Sequence, residues 1–207
     1  MSNISKLYKE LTKEQLLKII ENNFNESIFK YNLLKGGLFN TTYLITLKDE
    51  KKLVLRVGPV NTHLLMPFEH NLMQAEKYFY DLCKQENIPV SNVIVCDTTK
   101  KLIDRDYMII EYIDSIVMSE AKLSKEEKDR LYEQVGNYAY KIQNIKGKKF
   151  GRLANLVINK GFLKWSEYLK DDIEQITNLH LKHNIFTIEE VESIRNLITK
   201  LEIKGGD

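Results

Sequence analysis

Between Ile28 and Val57 the chain carries three runs rich in β-branched and aromatic residues, Ile28 to Leu34, Thr41 to Leu47 and Leu53 to Val57. Gly36-Gly37 separates the first two and Asp49-Glu50-Lys51 the second pair, a punctuation that predicts a three-strand antiparallel meander. Ahead of it, Thr12-Lys13-Glu14-Gln15 has the spacing of a capping box and is followed by Leu16, Leu17, Ile19 and Ile20. This predicts a short amphipathic helix from about residue 13 to 23, expected to dock before the main fold. From Phe68 to Cys83 the apolar positions Phe68, Leu72, Ala75, Phe79, Leu82 and Cys83 return to helical spacing, bounded by Met66-Pro67 and Ile88-Pro89. Two further strands are expected at Asn92 to Cys96 and Tyr107 to Ile113, across the polar stretch Asp97 to Lys101. The first half thus reads β-β-β-α-β-β, with the helix crossing back over the meander.

Beyond residue 114 the period is helical throughout. Ser124-Lys125-Glu126-Glu127 is a second capping box, ahead of a helix to about Lys146 whose Leu131, Val135, Tyr138, Ala139 and Ile142 are expected to be buried. Trp165, Tyr168, Leu169, Ile173, Ile176 and His180 mark a third long helix, and Thr187-Ile188-Glu189-Glu190 caps a fourth. The expected organisation is a β-rich region over 1–113 and a helical region over 114–207, with no linker between them.

Composition narrows the function classes. Of 207 residues 43% are hydrophobic and 29% charged, which suits a globular protein with a sizeable core. The 31 Lys and Arg are nearly balanced by 29 Asp and Glu, so the net charge of +2 gives no electrostatic footprint for nucleic acid. No apolar run approaches the roughly 20 residues that span a bilayer, so no membrane is expected. Two cysteines, Cys83 and Cys96, supply neither a disulfide framework nor a four-ligand zinc site, and a cytoplasmic setting follows as the expectation.

Four segments carry candidate chemistry. Leu34-Lys35-Gly36-Gly37-Leu38-Phe39-Asn40-Thr41-Thr42-Tyr43 places two glycines between strands, where backbone N–H groups can approach an anion with no side chain in the way. Such a pair also makes an ordinary hairpin turn. Leu53-Val54-Leu55-Arg56-Val57 sets one cation in an apolar strand, with Val54 and Arg56 on the same face by alternation. On the predicted crossing helix Glu76 is the favoured carboxylate to hold that cation, with Glu69 as its competitor. Tyr107 to Asp114 is an apolar strand that ends in a polar turn where the β-rich region gives way to helices.

In this order, on these elements, the segments make the chain resemble the aminoglycoside phosphotransferase and choline kinase-like family of small-molecule kinases, over nearly its whole length. The resemblance implies a protein-kinase-like α+β fold: a five-stranded antiparallel sheet with a crossing helix, followed by a helical second lobe that is incomplete here. It implies nucleotide binding by Gly36, Gly37, Phe39 and Asn40, with phosphate contact from Gly36, Gly37 and Asn40, an apolar cover over the base from Val54, and a phosphate cation in Arg56 held by Glu76. It places Ile110 at the gatekeeper position, with the Glu111 carbonyl and the Ile113 N–H meeting the base edge. Arg56 stands where protein kinases carry Lys, and its fork differs from a lysine point charge.

The same resemblance implies ATP or GTP with Mg2+ as cosubstrate and a small hydroxylated acceptor, aminoglycoside- or choline-like. The family's H-G-D-x-x-x-x-N-like loop and later I-D-like segment are not found in these residues: none of His63, His70, His180 and His183 is followed two positions later by Asp. No catalytic residue or metal ligand is therefore assigned in this chain. It is expected to be the N-terminal part of a longer enzyme, binding nucleotide weakly without turnover. The alternative is a pseudokinase-like binding or regulatory module.

Overall fold

The computed structural model describes residues 5–34 and 39–200. The elements are α1 (Lys13–Phe24), β1 (Ile28–Leu34), β2 (Thr41–Leu47), β3 (Lys52–Val57), α2 (Leu72–Gln85), β4 (Val93–Asp97), β5 (Tyr107–Glu111), α3 (Lys125–Gln143), α4 (Leu153–Leu156), α5 (Trp165–Lys182) and α6 (Ile188–Lys200), with short 3-10 turns over Thr62–Leu64 and Pro67–Glu69. Two compact units result, one of residues 1–64 and 73–145, the other of 65–72 and 146–207. Strands cease near residue 114, as the sequence suggests, but α3 groups with the sheet rather than with the later helices.

In the first unit five antiparallel strands lie in the order β1-β2-β3-β5-β4. The alternation of β2 and β3 divides their side chains cleanly: Thr41, Tyr43, Ile45 and Leu47 with Leu53, Leu55 and Val57 point to one buried face. That face is covered by α1, whose Leu16, Ile19 and Ile20 join Tyr107 and Ile109 in the main core. The N-terminal helix is therefore an integral half of the core and not merely a docked accessory. Its N-terminus is closed by the Thr12–Gln15 capping box and its C-terminus by Asn25 at φ 50°. Asn23 Nδ2 donates to the Tyr107 hydroxyl at 3.1 Å, tying helix to sheet.

On the opposite face α2 contributes Met73 and Ala75, and Met73 packs with Met108 and Ile110 against Val54, Val93 and Cys96. Of the expected stripe of α2, Ala75 and Cys83 are buried and Phe79 and Leu82 half-buried, while Met73 joins them, Leu72 is half exposed and Phe68 lies in the preceding 3-10 turn. The expected stripe of α3 is not buried: Val135 and Ala139 are exposed, Ile142 lies at the surface, and only Leu131 and Tyr138 are partly covered. The amphipathic pattern of that helix finds no covering surface among the described residues.

The second unit is held by aromatic and charged contacts. Arg152 forks onto Asp172 at 3.0 and 2.8 Å and lies 4.6 Å above the Phe68 ring, joining the 65–72 segment, α4 and α5. Phe150, Trp165 and Tyr168 stack edge to face, and Glu174 receives the Arg195 guanidinium, linking α5 to α6. Thr187 and Glu190 form the expected cap of α6. No described helix is long and apolar enough to cross a membrane.

Candidate functional site

The sheet face that carries α2 is the one on which Val54 and Arg56 project, since Leu53, Leu55 and Val57 turn to the α1 core. Antiparallel register sets Thr42 beside Arg56 and Leu44 beside Val54 from β2, and Met108 and Ile110 beside the same two residues from β5. A cation thus stands at one end of a face whose middle is apolar. Arg56 Nη1 forms an ion pair with Glu76 of α2, and both side chains keep about a quarter of their surface accessible. Glu69 is occupied elsewhere, with its Oε2 accepting from the Met66 N–H at 2.8 Å. The choice between the two carboxylates is settled for Glu76.

Tyr80 stands one helical turn beyond Glu76; burial pushes its phenol up, the Glu76 carboxylate adds to this, and Arg56 opposes it. Cys96, on the same face, is pushed up to about 11 by burial, which keeps it a thiol. At the far end of β5 the Glu111 N–H donates to the Asn92 carbonyl at 2.9 Å, and Asn92 Nδ2 donates to Glu111 Oε2 at 2.6 Å. Ile113 is 54% exposed, and its N–H has no hydrogen-bond partner among the described residues.

Of the residues singled out from the sequence, the structure brings Val54, Arg56, Glu76 and Ile110 onto one face and sets Glu111 and Ile113 along the rim where β5 ends. Phe39 and Asn40 precede β2, Phe39 39% exposed and Asn40 half-buried. Gly36 and Gly37 lie outside the described residues. Sequence reading passed over Thr42, Leu44, Met73 and Met108. For the two β2 residues a signal was available, because pairing β2 with β3 puts every second β2 residue on the Arg56 face.

Such a face can hold a flat apolar ring against the half-buried Val54 while Arg56 meets an anion where β2 begins. Among the described residues no group of three or more His, Cys, Asp or Glu could hold a metal ion. A separate cavity of about 750 Å³ lies within the second unit, bordered by His70, Asn155, Phe162, Asp171 and Gln175.

Comparison with known proteins bears on what this arrangement is. The model of the phosphotransferase enzyme family (APH) matches residues 30–202, which include β2 to β5, most of β1 and the Arg56–Glu76 pair. The chain belongs to the phosphotransferase enzyme family. Solved structures share the fold of this APH-family chain. A candidate aminoglycoside phosphotransferase from Ralstonia eutropha JMP134 is 16% identical with a TM-score of 0.55, over 94% of this chain and 55% of that one. APH(2'')-IIIa in complex with GDP and kanamycin is 15% identical with a TM-score of 0.54, over 90% and 57%. Spectinomycin phosphotransferase APH(9)-Ia in complex with ADP and spectinomycin is 10% identical with a TM-score of 0.52, over 94% and 60%. The APH-family chain spans a little over half the length of these structures. No curated protein sequence matches it. The α+β kinase-like architecture expected from the sequence, with its five-stranded antiparallel sheet, is thereby established.

Proposed function

We propose that this chain is the nucleotide-binding part of a phosphotransferase that passes the γ-phosphoryl group of ATP or GTP to a hydroxyl of a small molecule, aminoglycoside- or choline-like. The observation that carries the proposal is the Arg56–Glu76 pair on the apolar face of the sheet. Glu76 holds the guanidinium in place, so that its remaining N–H groups are pre-oriented for the α- and β-phosphates. Val54 covers the base with Ile110 at the gatekeeper position, the Glu111 carbonyl and Ile113 N–H address its edge, Gly36, Gly37 and Asn40 contact the phosphates, and Phe39 belongs to the same nucleotide-binding stretch. Mg2+ accompanies the nucleotide and neutralises phosphate charge when bound. In this proposal residues 1–113 form the nucleotide lobe, residues 114–207 supply the first helices of the second lobe, and the setting is the cytoplasm. GDP with kanamycin in one structural neighbour and ADP with spectinomycin in another support a nucleotide donor and a small-molecule acceptor.

Because no His-x-Asp element occurs in the 207 residues, they are proposed to bind nucleotide without turnover. Calorimetric titration with ADP tests this. Arg56→Ala removes charge-assisted hydrogen bonds worth about 1.5–3 kcal/mol, so affinity should fall roughly 10- to 150-fold. Unchanged affinity in that variant would remove Arg56 from phosphate recognition, and binding of neither ADP nor GDP by the unsubstituted chain would overturn the proposal.

A further inference from the structure

The largest buried charge in the first unit is not in the cleft. Arg105 is 5% exposed, in the loop before β5, and no carboxylate pairs with it among the described residues. Its guanidinium donates instead to three neutral acceptors on three separate segments. Nε donates to the Gly58 carbonyl at 2.7 Å, Nη1 to the Lys9 carbonyl at 2.8 Å, and Nη2 to Thr41 Oγ1 at 3.3 Å. Thr41, fully buried, donates its own hydroxyl to the Lys9 carbonyl at 2.8 Å, so the contacts close into a ring. Leu11 N–H to the Tyr43 hydroxyl at 2.7 Å and Val60 N–H to the Leu7 carbonyl at 2.9 Å lace the same N-terminal segment to the sheet.

The placement matters because Thr41↔Val57 is the last pair of the β2–β3 ladder, and Gly58 follows directly. Asn40 and Thr42 flank Thr41, and Arg56 lies two residues before Gly58. A single planar fork therefore joins the two strand ends that carry the cleft's anion-facing residues, beyond the point where ladder hydrogen bonds stop. An unpaired buried cation is costly to keep, and a lysine has neither the planar fork nor the reach to serve three diverging acceptors.

We propose that Arg105 is a positioning residue for the phosphate end of the cleft: with Thr41 and the Lys9 carbonyl it fixes Asn40, Thr42 and Arg56 in the relation that phosphate binding requires. This rests on the nucleotide reading above. Arg105 acts from the α1 side of the sheet and touches no nucleotide. Its loss should therefore weaken binding of the phosphates and spare that of the base.

The test is calorimetry on the 207-residue chain with two probes, ADP and adenosine, comparing the unsubstituted protein with Arg105→Lys and with Thr41→Val, which keeps the β-branched shape and stays folded if Arg105→Lys does not. In both variants ADP should bind about three- to tenfold more weakly while adenosine stays within about twofold. Equal weakening of both probes, or no change in either, in a variant whose thermal unfolding shows it folded, would overturn the inference and leave Arg105 a purely structural residue. If the unsubstituted chain binds neither of these probes, GDP and guanosine take their place, and failure to bind those as well would overturn the nucleotide reading and this inference with it.

Discussion

Replacing Ile19 by Ala tests whether α1 is half of the core. Ile19 is fully buried between α1 and the sheet, in the same cluster as Ile45, Leu55 and Ile109. The change removes three carbons, worth about 0.8 kcal/mol each in transfer free energy, and leaves a void that a sheet backed by a helix collapses into only in part, at a further cost of about 1 kcal/mol. Alanine returns about 0.4 kcal/mol through better helix propensity. The net loss is about 3 kcal/mol. Because the chain has two units, the readout should follow the sheet alone: amide exchange of β2, β3 and β5 should accelerate on the order of a hundredfold. Val135→Ala is the control, since Val135 lies 57% exposed on α3 and its truncation should change the same amides by less than about 0.5 kcal/mol. If Ile19→Ala changed exchange no more than Val135→Ala, the core between α1 and the sheet would be refuted.

Three further predictions concern single side chains of the first unit. Tyr43→Phe deletes the acceptor of the buried Leu11 N–H and should destabilise the first unit by about 1–3 kcal/mol, read by the same exchange measurement, with a loss below 0.5 kcal/mol counting against the bond. Burial raises the Asp106 carboxyl, against the opposing Lys100 ammonium 3.9 Å from its Oδ1, which has no hydrogen-bond partner among the described residues, so folding favours the protonated form and stability falls as pH rises from the unfolded carboxylate range through the higher folded value. Asp106→Asn should accordingly be more stable than the parent at pH 7, with the gain shrinking on acidification; a gain constant with pH would contradict that cause. Cys96, with its thiol near 11, should react with iodoacetamide at pH 8 on the order of a hundredfold more slowly in the native protein than in urea, and equal rates would show the thiol to be unperturbed.

Strand positions were the most legible part of the fold. The three runs of the meander coincide with β1, β2 and β3 to within a residue, because alternation and turn residues are properties of the local chain. What covers a helix is not a local property. The Leu16-Leu17-Ile19-Ile20 face of α1 and the Leu131-Val135-Tyr138 face of α3 carry the same kind of signal, yet only the first is buried, since burial is decided by the surface that meets it. The Arg56–Glu76 pair was legible because strand alternation, helix position and family order converge on it. Arg105 was not: between Asp104 and Asp106 it has the appearance of a solvated charge, and it is buried by a segment almost a hundred residues earlier. Asparagine also went unread as punctuation. Of the eight described non-glycine residues with positive φ six are Asn, among them Asn25 at the end of α1, in a chain with only nine glycines.

The covering of the sheet by α1 has a consequence for the order in which the protein is made. Helix α1 is complete early in the chain, but one of the strands it packs on, β5, comes far later, Asn23 and Tyr107 being 84 residues apart. At ribosomal rates of about 5–20 residues per second, roughly 4–17 seconds separate their synthesis. For that interval Leu16, Ile19 and Ile20 have only β1, β2 and β3 to rest on. The nascent first unit must wait with an open apolar seam until β5 slots in beside β3, which makes the arrival of Tyr107 and Ile109 the event that closes the core.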